Sequence, residues 1–114
     1  MPTHAKSRRM DPRTERVVKN EAVFREVNER INEVVRDTTA EYHCECGHAT
    51  CTETLPMTVA DYEDVRTDPT CFAVLPGHEV LDLEDVVKRN VGFLVVRKEE
   101  GAPAELAAKL DPRS

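Results

Sequence analysis

Apolar residues recur with a helical period in the first third of the chain. The stripe they form comprises Val17, Val23, Phe24, Val27, Ile31, Val34 and Val35. Residues three, four and seven positions apart share one face of a helix, so this spacing predicts an amphipathic helix. Asp11 and Pro12 supply its start signal, because aspartate caps the first free N–H groups and proline fits the first helical position. We predict a helix over residues 11–38, with the stripe facing the core or a partner.

The segments that follow carry the patterns of short strands. Polar and less polar residues alternate over 41–46, which is typical of a strand. A second strand is predicted over 51–57, and the glycine-containing segment 47–50 would join the two as a hairpin. The apolar runs 71–75 and 93–97 are bounded by turn residues and predict two further strands.

Helix-start signals occur twice in the second half of the chain. Thr58 is followed three residues later by Asp61, and Asp82 is followed at the same spacing by Asp85. Both pairs match the capping box, in which two side chains satisfy free N–H groups reciprocally. We therefore predict two short helices, the second of which runs to about Asn90.

Together these elements predict an α+β fold. It has a long N-terminal amphipathic helix, a small and mainly antiparallel sheet, two short helices and a zinc knuckle. The expected organisation is a flexible basic leader over 1–10, the helix over 11–38, a zinc-binding α+β domain over 39–98 and a C-terminal tail over 99–114. A brief helix is expected within the tail, over 104–110.

Composition and charge narrow the classes of function. The chain has 114 residues, which suits one small domain, and a formal net charge of −6. Residues 41–85 carry eleven acidic side chains against Arg66 alone, so binding to nucleic acid is not expected. The longest apolar runs have about four residues, too few to span a membrane. The first residues lack the apolar core of a secretory signal, which favours the cytoplasm and reduced cysteines.

Three cysteines lie close together in a pattern that suits a metal ion. They are Cys44, Cys46 and Cys51. Residues i and i+2 of a strand project to the same side, so Cys44 and Cys46 can chelate one ion, and a turn can bring Cys51 onto it. Structural zinc takes four tetrahedral ligands, usually cysteine with or without histidine. We predict His78 as the fourth ligand, because it follows the Pro76-Gly77 turn at the end of a strand.

Other residues compete for the fourth position. His48 would have to share a tight turn with the thiols, and His43 would point to the opposite face of the strand from Cys44. Cys71 would complete an all-thiolate site, suited to zinc or to an iron–sulfur cluster. Alternatively, the thiols form a redox pair or bind nothing, and Cys71 is a small core residue.

Signs of catalysis are few. His78 and Glu79 begin like the H-E-x-x-H zinc motif, but the second histidine is missing. Nucleophile-elbow, phosphate-loop and dinucleotide motifs are absent from the sequence. Glu45 and Glu79 flank the candidate ligands and could act as a base, or alternatively be solvated or support the ligands.

The chain resembles a group of small, functionally uncharacterised bacterial proteins, mostly actinobacterial. The resemblance rests on NEAVFREVNERI, the CEC motif with the cysteine that follows it, ADYEDVRTDPT, VLPGHEV, and EDVVKRN with FLVVRK, which together span residues 20–98. It implies that Cys44, Cys46, Cys51 and His78 act as a unit. Cys71 departs from the pattern of the group, and the resemblance implies no particular activity.

These observations predict a small cytoplasmic protein with one structural Zn²⁺ that acts through protein contacts. The helix over residues 11–37 would bind an unknown protein partner or a second copy of the chain. The first alternative is a thiol-based redox-sensitive regulator. The second is a small metal-dependent hydrolase.

Overall fold

A computed structural model describes residues 10–35 and 39–113 and shows an α+β fold. The elements in chain order are α1 (Pro12–Val34), β1 (Thr39–His43), β2 (Thr54–Thr58), α2 (Val59–Val65), β3 (Cys71–Val74), β4 (Glu84–Asn90), β5 (Phe93–Lys98) and α3 (Ala102–Lys109). Most of the predicted leader lies outside the described residues, as does the segment 36–38. Within the described ranges, the structure has no helix that is both long enough and apolar enough to cross a membrane.

Helix α1 begins where the sequence predicts. The Asp11 carboxylate accepts a hydrogen bond from the backbone N–H of Thr14 at 2.8 Å, and Pro12 occupies the first turn. The helix ends at Val34, four residues before the predicted limit, and Val35 is already extended.

Of the two expected orientations of the stripe, toward the core or toward a partner, the structure leaves much of the stripe outside the core. The buried residues of the helix are Thr14, Val18, Glu21, Ala22, Arg25 and Asn28. By contrast, Val23, Val27 and Val34 of the predicted stripe are 57%, 40% and 70% exposed. Relative to an orientation with the apolar stripe inward, the helix is rotated about its axis. Its polar side chains form hydrogen bonds inside the protein, and a buried polar group is tolerated when it is hydrogen-bonded.

Arg25 shows how one such side chain is satisfied. Its guanidinium donates to the carbonyl oxygen of Pro69 at 2.7 Å and to that of Ala107 at 2.8 Å. It also lies over the ring of Phe72, 4.6 Å from the ring centroid. Arg25 therefore ties α1 to both β3 and α3.

A second buried group joins α1 to the end of the sheet. The Lys98 ammonium lies 2.7 Å from a carboxylate oxygen of Glu21 and 2.7 Å from one of Glu84, and all three side chains are fully buried. Burial raises the pKa of Glu21 well above its usual range, although the charge of Lys98 opposes this. Two carboxylates therefore share one ammonium in a site closed to solvent.

The strands form two antiparallel sheets rather than one. As predicted, β1 and β2 form a hairpin, with Tyr42 opposite Leu55. The other three strands lie in the order β3-β5-β4. The core fills the space between these elements and includes the stacked rings of Tyr42 and Tyr62, whose centroids are 4.7 Å apart.

The predicted helix up to Asn90 is wrong, because this segment is strand β4. Its first residues pair Glu84 with Lys98 and Asp85 with Arg97 across the ladder, which matches opposite charges. Gly92 has a φ of 89° and closes the turn to β5 instead of ending a helix. The start signal was misleading, since the Asp82 carboxylate binds Arg13 at 3.0 Å.

The hairpin strands are Thr39–His43 and Thr54–Thr58 rather than the predicted 41–46 and 51–57, because Glu45 bonds to Ala73 of β3 instead of to the opposite strand. The remaining local predictions agree with the structure. The Thr58 side chain accepts from the backbone N–H of Asp61 at 2.9 Å and the Asp61 carboxylate accepts from that of Thr58, so α2 has the predicted capping box. Strands β3 and β5 lie within a residue of their predicted limits, and the brief C-terminal helix is α3.

We expect Lys98→Met to lower the free energy of unfolding by about 3–5 kcal/mol, because it leaves a buried carboxylate without its counter-ion. Lys88→Met is the matched control. Lys88 contacts Asp64 at 3.4 Å on the surface, and loss of such a pair costs less than about 1 kcal/mol. Urea denaturation of both variants measures the difference. Equal effects would contradict a structural role for the buried group.

Candidate metal centre

Three separate parts of the chain bring four potential ligands together. Cys44 and Cys46 follow β1, Cys51 precedes β2, and His78 follows β3. One ligand atom from each lies within 4.8 Å of all the others. Cys44 and Cys46 are buried, while Cys51 and His78 are partly buried. The four residues that the sequence predicts as a set therefore form one cluster.

Glu45 turns its two cysteine neighbours toward the cluster. Its carboxylate accepts from the Asn28 side chain of α1 at 2.8 Å and from the backbone N–H of Ala73 in β3 at 3.0 Å. Its own N–H donates to the carbonyl of Ala73 at 2.8 Å. Because successive side chains of an extended segment alternate in direction, fixing Glu45 toward the helix leaves Cys44 and Cys46 on the other side.

Asn28 also holds the residue just before the first cysteine. Its amide oxygen accepts from the backbone N–H of His43 at 2.7 Å, and its amide nitrogen donates to the His43 carbonyl at 2.8 Å. The side chain thus replaces a neighbouring strand at the point where β1 ends. One helix residue fixes the chain on both sides of Cys44.

The turn that delivers Cys51 packs directly on α1. A Cβ atom on Gly47 would lie 2.5 Å from a methyl carbon of Val17, closer than such atoms can approach. The Gly47 carbonyl accepts from the Asn20 side chain at 2.9 Å. The backbone N–H of Cys51 then donates to the carbonyl of His48 at 3.0 Å, which closes a tight turn.

A second tight turn positions His78. Its backbone N–H donates to the carbonyl of Leu75 at 2.9 Å. Pro76 and Gly77 are the two central residues, and Gly77 has a φ of 95°. Proline in the first central position and a left-handed glycine in the second are the residues that a type II turn requires. The imidazole is thereby placed directly beyond the end of β3.

Backbone N–H groups face the three sulfur atoms. The N–H of Leu75 lies 3.3 Å from the Cys44 sulfur. The N–H group of His48 adds to the lowering of the pKa of Cys46, which a hydrogen bond with Cys44 chiefly causes, and that of Glu53 opposes the rise in the pKa of Cys51 that burial causes. Such donors stabilise thiolates, which are the form of cysteine that binds metal.

The three thiols of the cluster differ in pKa. The Cys44 thiol donates to the Cys46 sulfur, which lowers the pKa of Cys46 and raises that of Cys44, a rise that burial reinforces. The pKa of Cys51 is raised, chiefly by burial. Like charges at this separation oppose one another, so the metal-free cluster favours a single thiolate. A divalent cation would remove the repulsion and permit all three to ionise.

Two distances within the cluster match those of a tetrahedral ion. Bonds of about 2.3 Å to sulfur and about 2.0–2.1 Å to nitrogen place tetrahedral sulfur and nitrogen ligands about 3.6 Å apart. The Nδ1 atom of His78 lies 3.5 Å from the Cys44 sulfur and 3.7 Å from the Cys51 sulfur. An octahedral site with bonds of about 2.1 Å would bring neighbouring ligands to about 3.0 Å. The residues present therefore fit a tetrahedral metal ion bound through Nδ1.

The competing histidines and the fourth cysteine lie outside the cluster. The His43 ring stacks on Phe24 with centroids 4.0 Å apart, and its Nδ1 atom contacts the Cys44 carbonyl. His48 is exposed, and its ring lies edge-on to that of His78. Cys71 is a buried residue of β3, and burial raises its pKa to about 12.

The two flanking glutamates have structural roles. Glu45 is fully buried and hydrogen-bonded, so of the two structural alternatives it has the one that supports the ligands and not the solvated one. The Glu79 carboxylate accepts from the backbone N–H of Gly77 at 2.7 Å within the turn. Asn28 and Asn20, which the sequence analysis did not single out, hold the ligand segments instead. Their signal was the polar spacing of Glu21, Arg25 and Asn28 along one face of a helix.

Comparison of the chain with protein-family models, with curated proteins and with solved structures gives no match.

We expect Gly47→Ala to lower the free energy of unfolding of the metal-loaded protein by about 1–3 kcal/mol, because the added methyl group overlaps Val17. The double variant Gly47→Ala with Val17→Ala should recover most of this loss, since the second change removes the overlapping atoms. Thermal and urea unfolding of both variants and of Val17→Ala measure the coupling. Additive effects of the two changes would show that the turn does not depend on this contact.

Proposed function

We propose that this chain is a small zinc-stabilised protein domain that acts through contacts with proteins. The observation that carries the proposal is the cluster of Cys44, Cys46, Cys51 and His78, whose ligand atoms lie within 4.8 Å of one another. The ligand set needs reduced cysteines, which the cytoplasm maintains, so we assign the protein to that compartment.

A structural role for the ion follows from the number of ligands. Catalytic zinc sites have three protein ligands and an open position for water or substrate, whereas structural sites have four protein ligands. Here four side chains would complete the tetrahedron, which argues against the hydrolase alternative. The ion would pin the β1–β2 hairpin to the end of β3, two parts that belong to different sheets.

The chemistry of the ligands favours zinc over hard cations. Thiolates and imidazole suit zinc and other soft or borderline metals, whereas magnesium and calcium prefer oxygen ligands. Structural zinc contributes about 10–16 kcal/mol in small zinc-finger peptides. That is comparable to the whole stability of a small domain, about 5–15 kcal/mol. We therefore expect folding of this domain to depend on the ion.

The proposed mode of action rests on the surface of α1. The exposed residues Val23, Val27 and Val34 form an apolar strip on the side of the helix that faces away from the core. Contiguous apolar surface on a small protein marks sites of interaction. We refer to these three residues as the valine stripe.

We expect the purified wild type to bind one Zn²⁺. The Cys44→Ser variant should bind none, and its free energy of unfolding should be lower than that of the wild type by several kcal/mol. Cys71→Ser is the matched control, because it removes a buried cysteine outside the cluster and should retain one zinc. Native mass spectrometry with elemental analysis measures the metal, and thermal unfolding with and without a chelator measures the stability. A fully folded, metal-free wild type would contradict the proposal.

The exposure of Cys51 favours a second candidate function, a redox-sensitive regulator. Cys51 is only partly buried and follows three exposed residues, 48–50. Peroxide can therefore reach its sulfur more readily than the buried sulfur atoms of Cys44 and Cys46. Two thiolates would give two electrons to one peroxide, whose O–O bond breaks. A disulfide forms, two protons are taken up, two waters are released and the ion leaves.

In this case mild hydrogen peroxide should release zinc stoichiometrically from both the wild type and Cys71→Ser. A zinc-binding dye follows the release, and peptide mapping should show a disulfide from Cys51 to Cys44 or Cys46. A reductant with added zinc should restore the original metal content. Retention of zinc after complete consumption of the peroxide would exclude this function.

A further inference from the structure

The valine stripe is the part of α1 that the rest of the chain leaves uncovered. The inner face of the helix is occupied by Glu21, Arg25 and Asn28, which the core satisfies. At 100° per residue, Val23, Val27 and Val34 all lie within about 40° of one another on the opposite side. Phe24 and Ile31 adjoin the stripe and are partly buried. The apolar surface is therefore wider than the three valines alone.

Charged residues border the stripe in a definite order. Arg16 and Arg30 lie on the line of the stripe, and both are exposed. Lys19, Glu26 and Glu33 are seven residues apart and lie along one side of it, also exposed. Lys19 lies at one end of this row and Glu33 at the other. In an antiparallel pair of helices, the positive end of one row therefore lies beside the negative end of the other.

We propose that a second copy of the chain covers the valine stripe, with the two α1 helices antiparallel. This inference rests on the proposed function and names the partner. A two-fold axis near residue 25 sets Val23 of one copy against Val27 of the other, twice. Phe24 then meets its own equivalent at the centre. On the bordering side, Lys19 of each copy comes within about two residue rises, roughly 3.0 Å, of the level of Glu33 of the other, an offset that a lysine side chain can span.

The antiparallel direction follows from the two arginines. In a parallel pair, Arg16 and Arg30 would each oppose their own equivalents, which places like charges together. In the antiparallel pair, Arg16 lies level with Val34, where its aliphatic part can pack, and Arg30 lies level with Asn20. Lys19 contacts Glu15 at 2.9 Å in the single chain. That exposed pair is weak enough to exchange for Glu33 of the second copy.

Self-complementarity is the argument for a second copy over an unrelated helix. A two-fold interface requires that when residue i contacts residue j, residue j also contacts residue i. An axis near residue 25 brings the valines together and sets two opposite-charge pairs, Lys19 with Glu33 of the other copy, against one like-charge contact between the two Glu26 side chains.

Sedimentation velocity over a wide range of protein concentration tests the proposal on the zinc-loaded full chain. We expect a reversible dimer for the wild type and at least a tenfold weaker dimer for Val27→Asp. Val91→Asp is the matched control, because Val91 lies at the β4–β5 turn and is 97% exposed. Dimer formation by this variant should be unchanged. A wild type that stays monomeric throughout, or a Val27→Asp variant that dimerises like the wild type, would overturn the proposal.

Charge reversal tests the direction of the helices. Lys19→Glu and Glu33→Lys should each weaken the dimer, and the double variant should recover wild-type association, since the pair is restored with exchanged signs. Failure of the double variant to recover would overturn the antiparallel arrangement. Zinc content measured on the same samples separates the two conclusions. A zinc-loaded monomer refutes only the dimer, and a metal-free protein refutes the proposed function.

Discussion

A buried carboxylate joins the long helix to the metal cluster. Glu45 lies between two candidate ligands and is fully buried, so its oxygens need partners inside the protein. One partner is Asn28 of α1 and the other is the backbone of Ala73 in β3. The direction of Cys44 and Cys46, the rotation of α1 and the position of β3 are therefore set by the same side chain.

The inner face of α1 follows from this constraint. Hydrogen bonds are directional, whereas apolar contacts are not. A helix held by Asn28, Arg25 and Glu21 can dock at one rotation and one height only, because a shift would leave several buried polar groups without partners. The same constraint turns the valines outward. The apolar residues that would ordinarily hold such a helix in place are thus left for contacts with other molecules.

The sequence predicts features that short-range chemistry determines. The cap at Asp11, the capping box at Thr58 and the Pro76-Gly77 turn depend on neighbouring residues alone. The cysteine spacing with a histidine after a turn likewise indicates the cluster.

Features that depend on distant partners were missed. The polar residues on the buried face of α1 were not predicted, because the rule that apolar residues are buried takes no account of polar groups that are paired. The segment 84–90 resembles a helix start locally, but its charges pair with Arg97 and Lys98 of the adjacent strand. Tertiary pairing outweighs weak local preference in such short segments.

The spacing of the four ligands along the chain gives the protein an order of assembly during synthesis. Three of them lie within eight residues, whereas the fourth lies 27 residues after Cys51. A nascent chain exposes the three thiols before His78 has been made, so an ion can be captured by an incomplete site. The chain between Cys51 and His78 then loses conformational entropy in a single step, when the His78 imidazole binds the ion. The late ligand would thus convert a loosely held ion into a fixed part of the fold, and synthesis of the turn after β3, which carries His78, would be the step that completes the site.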